Sequence, residues 1–274
     1  MRSDLDLDEV KWNLIREGGS LLVQSLLFPL SWLPSRHEPK RAADIHTVVF
    51  VHGLGATRSS LFPMATYLSL RGFTRQYSFN ARSTRSVESL ALELKRRVDT
   101  DVRGGRISLV CHSMGGLVAR YYLQQLGGAR RVTDLVTLGT PHRGTHASAW
   151  LPTTLVRQMA PGSAFLTHLN SLPPPPGVRC TSITAGADLL VLPPSAAAAP
   201  FGSTYDFDGL GHTGMLLSVP VLRTVYQALD TPEDGVVPES EAGQPKPGRT
   251  ASTSVVVNKK WAPAPANTNT CQTS

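Results

Sequence analysis

Charged residues are scarce in this 274-residue chain, and no apolar run is long enough to span a bilayer comfortably. Charged side chains make up 17% of the residues and hydrophobic ones 41%. That balance excludes a chain that is disordered throughout, and it also excludes a polytopic membrane protein. The length allows one domain with a sizeable core and extensions at its ends.

Cysteine is also scarce, and its spacing excludes two kinds of stabilising site. The chain has only Cys111, Cys180 and Cys271. Their odd number and wide spacing give neither a disulfide framework nor a zinc site. We therefore expect no metal site. The pattern fits a reducing compartment, so a cytoplasmic or peripheral membrane location is favoured over secretion.

Positive charge is in excess, but it is not concentrated. The chain has 27 Lys and Arg against 20 Asp and Glu, a net charge of +7. The basic residues occur singly or in short pairs such as Arg96-Arg97, without a long basic run interleaved with aromatic residues. We therefore predict no nucleic-acid partner.

The N-terminal extension, residues 1–44, contains an uncharged and largely apolar run at 20–34. This run is too short for a comfortable membrane span. Acidic residues such as Asp4 and Glu9 precede it where a signal peptide would be basic, and no cleavage site follows it before Arg36. Two interpretations stay open: the run packs on the domain, or it makes a peripheral contact with a membrane interface.

From residue 45 onward, short β-branched runs alternate with stretches of helical periodicity. This alternation is typical of a mostly parallel sheet flanked by helices. The predicted domain covers 45–230, and Pro220 either kinks its last helix or marks the start of that helix. Residues 231–274 are rich in Pro, Gly, Ser and Thr, which predicts a disordered tail. The predicted strands are 47–51, 74–79, 107–111, 135–138 and 179–185.

A long apolar insertion, about 142–176, separates two of these strands. It has the residues that a lid over a substrate pocket needs, although an inert packed cap would have the same composition. If it covers a pocket, the candidate substrate-contacting residues are Trp150, Leu155, Met159 and Phe165.

Ser113 is the candidate nucleophile. It lies in Cys-His-Ser-Met-Gly-Gly, between an apolar strand and a helix. This is close to the G-x-S-x-G elbow, in which a tight turn requires small residues two positions before and after the serine. Gly115 fits that pattern, and Cys111 departs from it while still being small. A structural serine that caps the helix is the alternative.

A serine nucleophile needs a histidine base and a carboxylate that orients the histidine, in the chain order Ser, acid, His. Asp188 follows a predicted strand by a short loop, and His212 lies in a later glycine-rich loop. An oxyanion hole needs two donors that are already in place. The candidates are the backbone amides of Met114, directly after the serine, and Leu54, in the His-Gly-Leu-Gly turn after the first strand.

Three segments together resemble bacterial triacylglycerol lipases and esterases of the α/β-hydrolase superfamily: His52 to Gly55, His112 to Gly116, and Leu138 to Thr145. The resemblance covers roughly residues 45–230. It implies an α/β-hydrolase fold and a carboxylic-ester hydrolase that needs no cofactor, with ester or lipid substrates held under a mobile cap. The stretch from Asp188 to Ser195 resembles the acid loop of that family.

The expected activity is therefore ester hydrolysis through a Ser-His-Asp triad and an acyl-enzyme. Two alternatives stay open. A thioesterase or acyltransferase would use the same triad with another leaving group or acceptor, and a ligand-binding protein with this fold would have lost turnover.

Overall fold

The computed structural model describes residues 15, 18, 19, 46–80, 86–102, 104–150, 153–231 and 258–260. The apolar run 20–34 and most of the predicted extension and tail lie outside these residues, so both assignments stay predictions. Within the described residues, no helix is long and apolar enough to cross a membrane.

One parallel sheet of seven strands forms the centre of the domain, in the order β2-β1-β3-β4-β5-β6-β7. The predicted parallel sheet is confirmed, but the prediction missed β6. The strand β7 lies within the stretch 231–274, for which a disordered tail was predicted. The strands are β1 (His46–Val51), β2 (Arg75–Phe79), β3 (Arg106–His112), β4 (Val132–Leu138), β5 (Arg179–Ala185), β6 (Ser203–Phe207) and β7 (Asn258–Lys260).

In the described part of the chain from residue 46 onward, six α-helices connect or cover these strands. Pro220 lies in the first turn of the last helix and so marks its start, where a missing backbone N–H costs no helical hydrogen bond. The insertion before β5 contains two short helices, α4 and α5. The helices are α1 (Phe62–Ser69), α2 (Val87–Asp101), α3 (Met114–Gln125), α4 (Thr154–Arg157), α5 (Ala164–Ser171) and α6 (Val219–Asp230).

Side chains of the central strands alternate between two apolar layers, one on each face of the sheet. In β1, Val49 and Val51 pack with α2 and α3, whereas Val48 and Phe50 pack with α1 and α6. Burial on both faces explains why these strands are continuous apolar runs in the sequence. The helices of the insertion extend the first of these layers.

A buried ion cluster lies near the amino ends of the strands, around Asp134. Its carboxylate accepts hydrogen bonds from Arg106 (2.9 Å), Arg179 (2.7 Å) and Ser108 (2.7 Å). Burial alone would raise the pKa of Asp134, but hydrogen bonds from Ser108, Thr133 and Arg106 outweigh it and lower the pKa. Asp134 therefore has a structural role, and it lies at the edge of the sheet away from Ser113.

The carboxyl ends of the strands share one edge of the sheet because all strands are parallel. Val51, at the end of β1, is the register partner of Cys111 in β3. The glycine turn after β1 and the serine turn after β3 are therefore neighbours. The loops after β5 and β6 reach the same edge.

Candidate active site

Ser113 occupies a strained turn between β3 and α3. Its φ of 55° and ψ of −130° make it the one described non-glycine residue with positive φ. Such a conformation costs about 1–3 kcal/mol and persists only where its surroundings fix it. Here the Ser113 amide donates to Leu138 O (2.8 Å), and the Thr140 hydroxyl donates to Ser113 O (2.8 Å).

Two glycines let neighbouring backbone segments approach this turn closely. A Cβ on Gly115 would lie 2.4 Å from the carbonyl oxygen of Val51, and a Cβ on Gly53 would lie 2.8 Å from the Cβ of Ser113. Cys111 stands where the G-x-S-x-G pattern has its first glycine. Its side chain is fully buried in the core, where burial raises the pKa of its thiol.

His212 and Asp188 form a buried pair on the loops that follow β6 and β5. The Nδ1 of His212 lies 2.7 Å from Oδ2 of Asp188. Asp188 Oδ1 accepts hydrogen bonds from the amides of Leu190 (2.8 Å) and Val191 (2.7 Å). Because a carboxylate accepts, His212 carries its proton on Nδ1, and Nε2 keeps a lone pair that can take a proton.

Ser113 and His212 line one cavity of about 390 Å³, with Asp188 held behind the histidine. Apolar side chains dominate its wall, and no lysine, arginine or carboxylate is among the described residues that line it. The lining residues are Gly53, Leu54, Gly55, Ala56, His112, Ser113, Pro141, Thr145, Ala147, Ser148, Trp150, Val156, Met159, Leu190, Val191, His212 and Thr213.

The two predicted oxyanion donors belong to the two turns that meet at Ser113. Met114 is the first residue of α3, and Leu54 lines the cavity. The Nδ1 of His52 donates to Gly53 O at 2.8 Å, and burial lowers the pKa of His52, which keeps its ring neutral. In a trans peptide the C=O and the next N–H point in opposite directions. His52 therefore fixes the direction of the Leu54 amide.

The other buried histidines near this edge serve the structure. Burial and the neighbouring His212 hold the pKa of His112 well below its usual range. The neutral ring of His112 donates from Nε2 to His212 O (3.2 Å), so it holds the backbone of the predicted base. His142 accepts from Arg120 at Nδ1 (3.3 Å) and bonds Thr137 at Nε2 (3.0 Å).

Only two of the four predicted substrate-contacting residues reach the cavity. Trp150 and Met159 line it, but Leu155 and Phe165 are not among the lining residues. Leu155 is 2% exposed and Phe165 8% exposed, both in the core layer that covers α2 and α3. The physical reason is that an apolar residue of a short cap helix can face the cavity or the core, and composition does not distinguish the two.

Thr145 was not predicted, although it connects the cap to the loop that carries Asp188. Its hydroxyl donates to Leu190 O (2.8 Å) and accepts from the amides of Leu192 (3.0 Å) and Ala147 (3.1 Å). Leu190 also donates its amide to Asp188. One hydroxyl therefore holds the turn that orients the predicted acid, and only the fold brings its partners within reach.

We expect Thr145→Val to lower kcat by on the order of 10–100-fold, because a small displacement of the acid loop misaligns the His212–Asp188 pair. Thr145→Ser keeps the hydroxyl and is expected to restore most of the rate. The measurement is kcat on short and long acyl esters for both variants, in the native and the Asp188→Asn backgrounds. A positioning role predicts an equal loss at every chain length and little further loss beside Asp188→Asn. A loss that grows with chain length would instead make Thr145 a substrate contact.

The chain is similar to a thioesterase family and to two lipases of known structure. A family model described as palmitoyl protein thioesterase matches residues 47–170. The mature form of a Bacillus licheniformis lipase has a TM-score of 0.57 and 18% identity over 71% of this chain and 96% of its own. Aspergillus fumigatus lipase B has a TM-score of 0.57 and 14% identity over 68% of this chain and 53% of its own. At such identities the structural likeness concerns the fold.

Proposed function

We propose that this chain is a carboxylic-ester hydrolase of the α/β-hydrolase superfamily and that it works through an acyl-enzyme. Ser113 is the nucleophile, His212 its base and Asp188 the acid that orients the base. The observation that carries the proposal is the buried His212–Asp188 pair, whose histidine lines the same cavity as a serine on a strained turn.

The proposed reaction has two halves. In the first, Ser113 Oγ attacks the ester carbonyl while His212 Nε2 takes the hydroxyl proton. The bond to the leaving oxygen breaks as His212 returns that proton to the alcohol. In the second half, His212 takes a proton from water and the hydroxide attacks the acyl-serine. His212 then returns that proton to Ser113 Oγ as the carboxylic acid leaves. The amides of Leu54 and Met114 stabilise the oxyanion in both halves.

The cavity wall supports a neutral acyl group as the substrate. An apolar pocket offers no partner to a charged acyl group, and burying an unpaired charge is costly. Apolar chains are stabilised there by roughly 0.8 kcal/mol for each methylene removed from water. We therefore propose medium or long aliphatic acyl esters, with Trp150 and Met159 among their contacts.

A thioester substrate is the second candidate, and the match of residues 47–170 to the palmitoyl protein thioesterase model favours it specifically. The proposed triad suits either bond, because the acyl-enzyme is the same and only the leaving group differs. An acyltransferase would form the same intermediate and pass the acyl group to an alcohol.

One experiment separates these proposals. We would compare p-nitrophenyl esters and matched acyl thioesters from C2 to C16, with and without an added alcohol, and treat the enzyme with a fluorophosphonate probe. Hydrolysis with a medium- or long-chain optimum and a single probe adduct on Ser113 would support the proposed enzyme. Higher kcat/KM on thioesters would replace the ester with the thioester. Absence of both turnover and adduct, with retained binding of an ester analogue, would favour a ligand-binding protein.

A further inference from the structure

One hydroxyl in the wall of the active-site cavity has no hydrogen-bond partner among the residues that the structure describes. Ser148 lies in the short 3-10 helix His146–Trp150 of the cap, is 9% exposed and lines the cavity. Its backbone amide donates to Thr145 O (3.2 Å), but no described group bonds its Oγ. An apolar molecule that filled the cavity would leave this hydroxyl buried and unpaired, which is costly.

The other polar side chains of the cavity wall differ from Ser148 in this respect. Besides the proposed nucleophile and base, they are Thr145, His112 and Thr213. The Thr145 hydroxyl holds the acid loop, the His112 ring holds the backbone of His212, and Thr213 also takes part in an interaction within the chain. In a largely apolar pocket, the few polar groups that remain available fix the orientation of the ligand. The Ser148 hydroxyl is such a group.

Ser148 belongs to the side of the cavity that faces the leaving group. In the proposed reaction His212 returns a proton to the leaving atom, so that atom lies beside His212. The acid loop behind His212 contributes Leu190 and Val191 to the wall. Ser148 is bonded to this loop through Thr145, whose carbonyl accepts the Ser148 amide and whose hydroxyl donates to Leu190 O (2.8 Å).

We propose that Ser148 selects substrates whose leaving group carries a hydrogen-bonding group, a hydroxyl or an amide, close to the leaving atom. This inference rests on the proposed function, because a leaving group exists only if the chain cleaves an acyl bond. A serine hydroxyl both donates and accepts, so it suits either group. A simple alkyl leaving group has nothing to offer it, and the buried hydroxyl then stays unpaired.

The test uses pairs of substrates that share one acyl group and differ only in the polar group of the leaving side. We would measure kcat/KM for a hydroxyethyl ester against the propyl ester, and for an N-acetylcysteamine thioester against the pentyl thioester. We expect Ser148→Ala to lower the preference for the polar member of at least one pair by roughly tenfold. Ser148→Thr keeps a hydroxyl and should retain most of the preference. Damage to the fold or to the triad would slow both members of a pair equally and leave their ratio unchanged.

The matched control is Ser171→Ala, which removes an exposed cap hydroxyl that does not line the cavity and donates to His168 O (2.8 Å). It should leave both ratios as they are in wild type. A loss confined to the ester pair would assign an alcohol with a second hydroxyl, and a loss confined to the thioester pair would assign a thiol that bears an amide. Equal ratios in wild type and Ser148→Ala for both pairs would overturn the proposal.

Failure of this inference is distinguishable from failure of the proposed function. Turnover that Ser113→Ala abolishes, with ratios that Ser148→Ala does not change, would overturn the role of Ser148 alone and leave the hydrolase in place. No turnover of any of the four substrates, together with no fluorophosphonate adduct on Ser113, would overturn the proposed function and this inference with it.

Discussion

Ser113→Ala is expected to lower kcat on an acyl ester by roughly 10⁶-fold, and adding His212→Ala to it should cost almost nothing more. The two residues act as a unit. The serine is a poor nucleophile without a base, and without the serine the histidine has no hydroxyl proton to accept. Asp188→Asn should cost about 10⁴-fold, because an amide nitrogen facing His212 Nδ1 favours the wrong tautomer.

The measurement is kcat for the three single variants and the Ser113→Ala/His212→Ala double variant, with residual rates referred to the uncatalysed reaction. Unfolding curves for each variant exclude a loss of fold. His142→Ala would be an uninformative control, since that ring is buried and bonded to Arg120. Ser148→Ala is better, because it removes a second hydroxyl from the same cavity and should change kcat far less. If losses at Ser113 and His212 multiplied, the two residues would act in separate steps and the proposed triad would be wrong.

Arg120→Met is expected to lower the free energy of unfolding by roughly 3–5 kcal/mol, because it leaves several buried hydrogen-bond acceptors unpaired at about 1–3 kcal/mol each. Arg120 is fully buried in α3, and burial lowers its pKa to about 10. It donates to Asn170 Oδ1 (2.9 Å), Leu169 O (3.2 Å) and His142 Nδ1 (3.3 Å). Methionine fills a similar volume but leaves these acceptors unpaired.

Urea unfolding of wild type and variants measures this change in the free energy of unfolding. Arg120→Lys keeps the charge but cannot reproduce the planar fork of donors, so most of the loss should remain. The matched control is Arg96→Met, an exposed arginine, which should change stability by less than about 0.5 kcal/mol. An Arg120→Met variant within 1 kcal/mol of wild type would show that relief of the buried cation compensates for the lost hydrogen bonds.

The sequence was sufficient to predict the core of the sheet. Strands such as β1 and β3 are buried on both faces, so each is a continuous apolar run that local pattern detects. The strand β6 has only Phe207 fully buried among half-buried and polar residues, so its pattern resembles a loop. Its position depends on pairing with β5, which sequence spacing alone does not specify.

Contacts between distant segments were beyond prediction for a similar reason. Arg120 lies 50 residues from Asn170, and Thr145 lies 45 residues from Leu190. Each side chain is ordinary in its own segment and gains its role from partners that the fold supplies. The candidate triad could be proposed because its members lie in recognisable turn motifs. Leu155 and Phe165 were predicted to contact substrate but are not among the residues that line the cavity, because composition does not determine which way a side chain faces.

The all-parallel sheet places the proposed triad on the loops after β3, β5 and β6, while the helices α4 and α5 lie between β4 and β5. In the proposed function, the bond-breaking residues therefore lie outside the insertion, whereas the insertion supplies only part of the cavity wall. If the proposed function holds, substitutions in the cap are expected to change acyl-chain preference without altering the proposed triad. Thr145 is the exception, because it belongs to the insertion and yet holds the acid loop. Exchange of the cap between relatives should succeed only where that hydroxyl is retained.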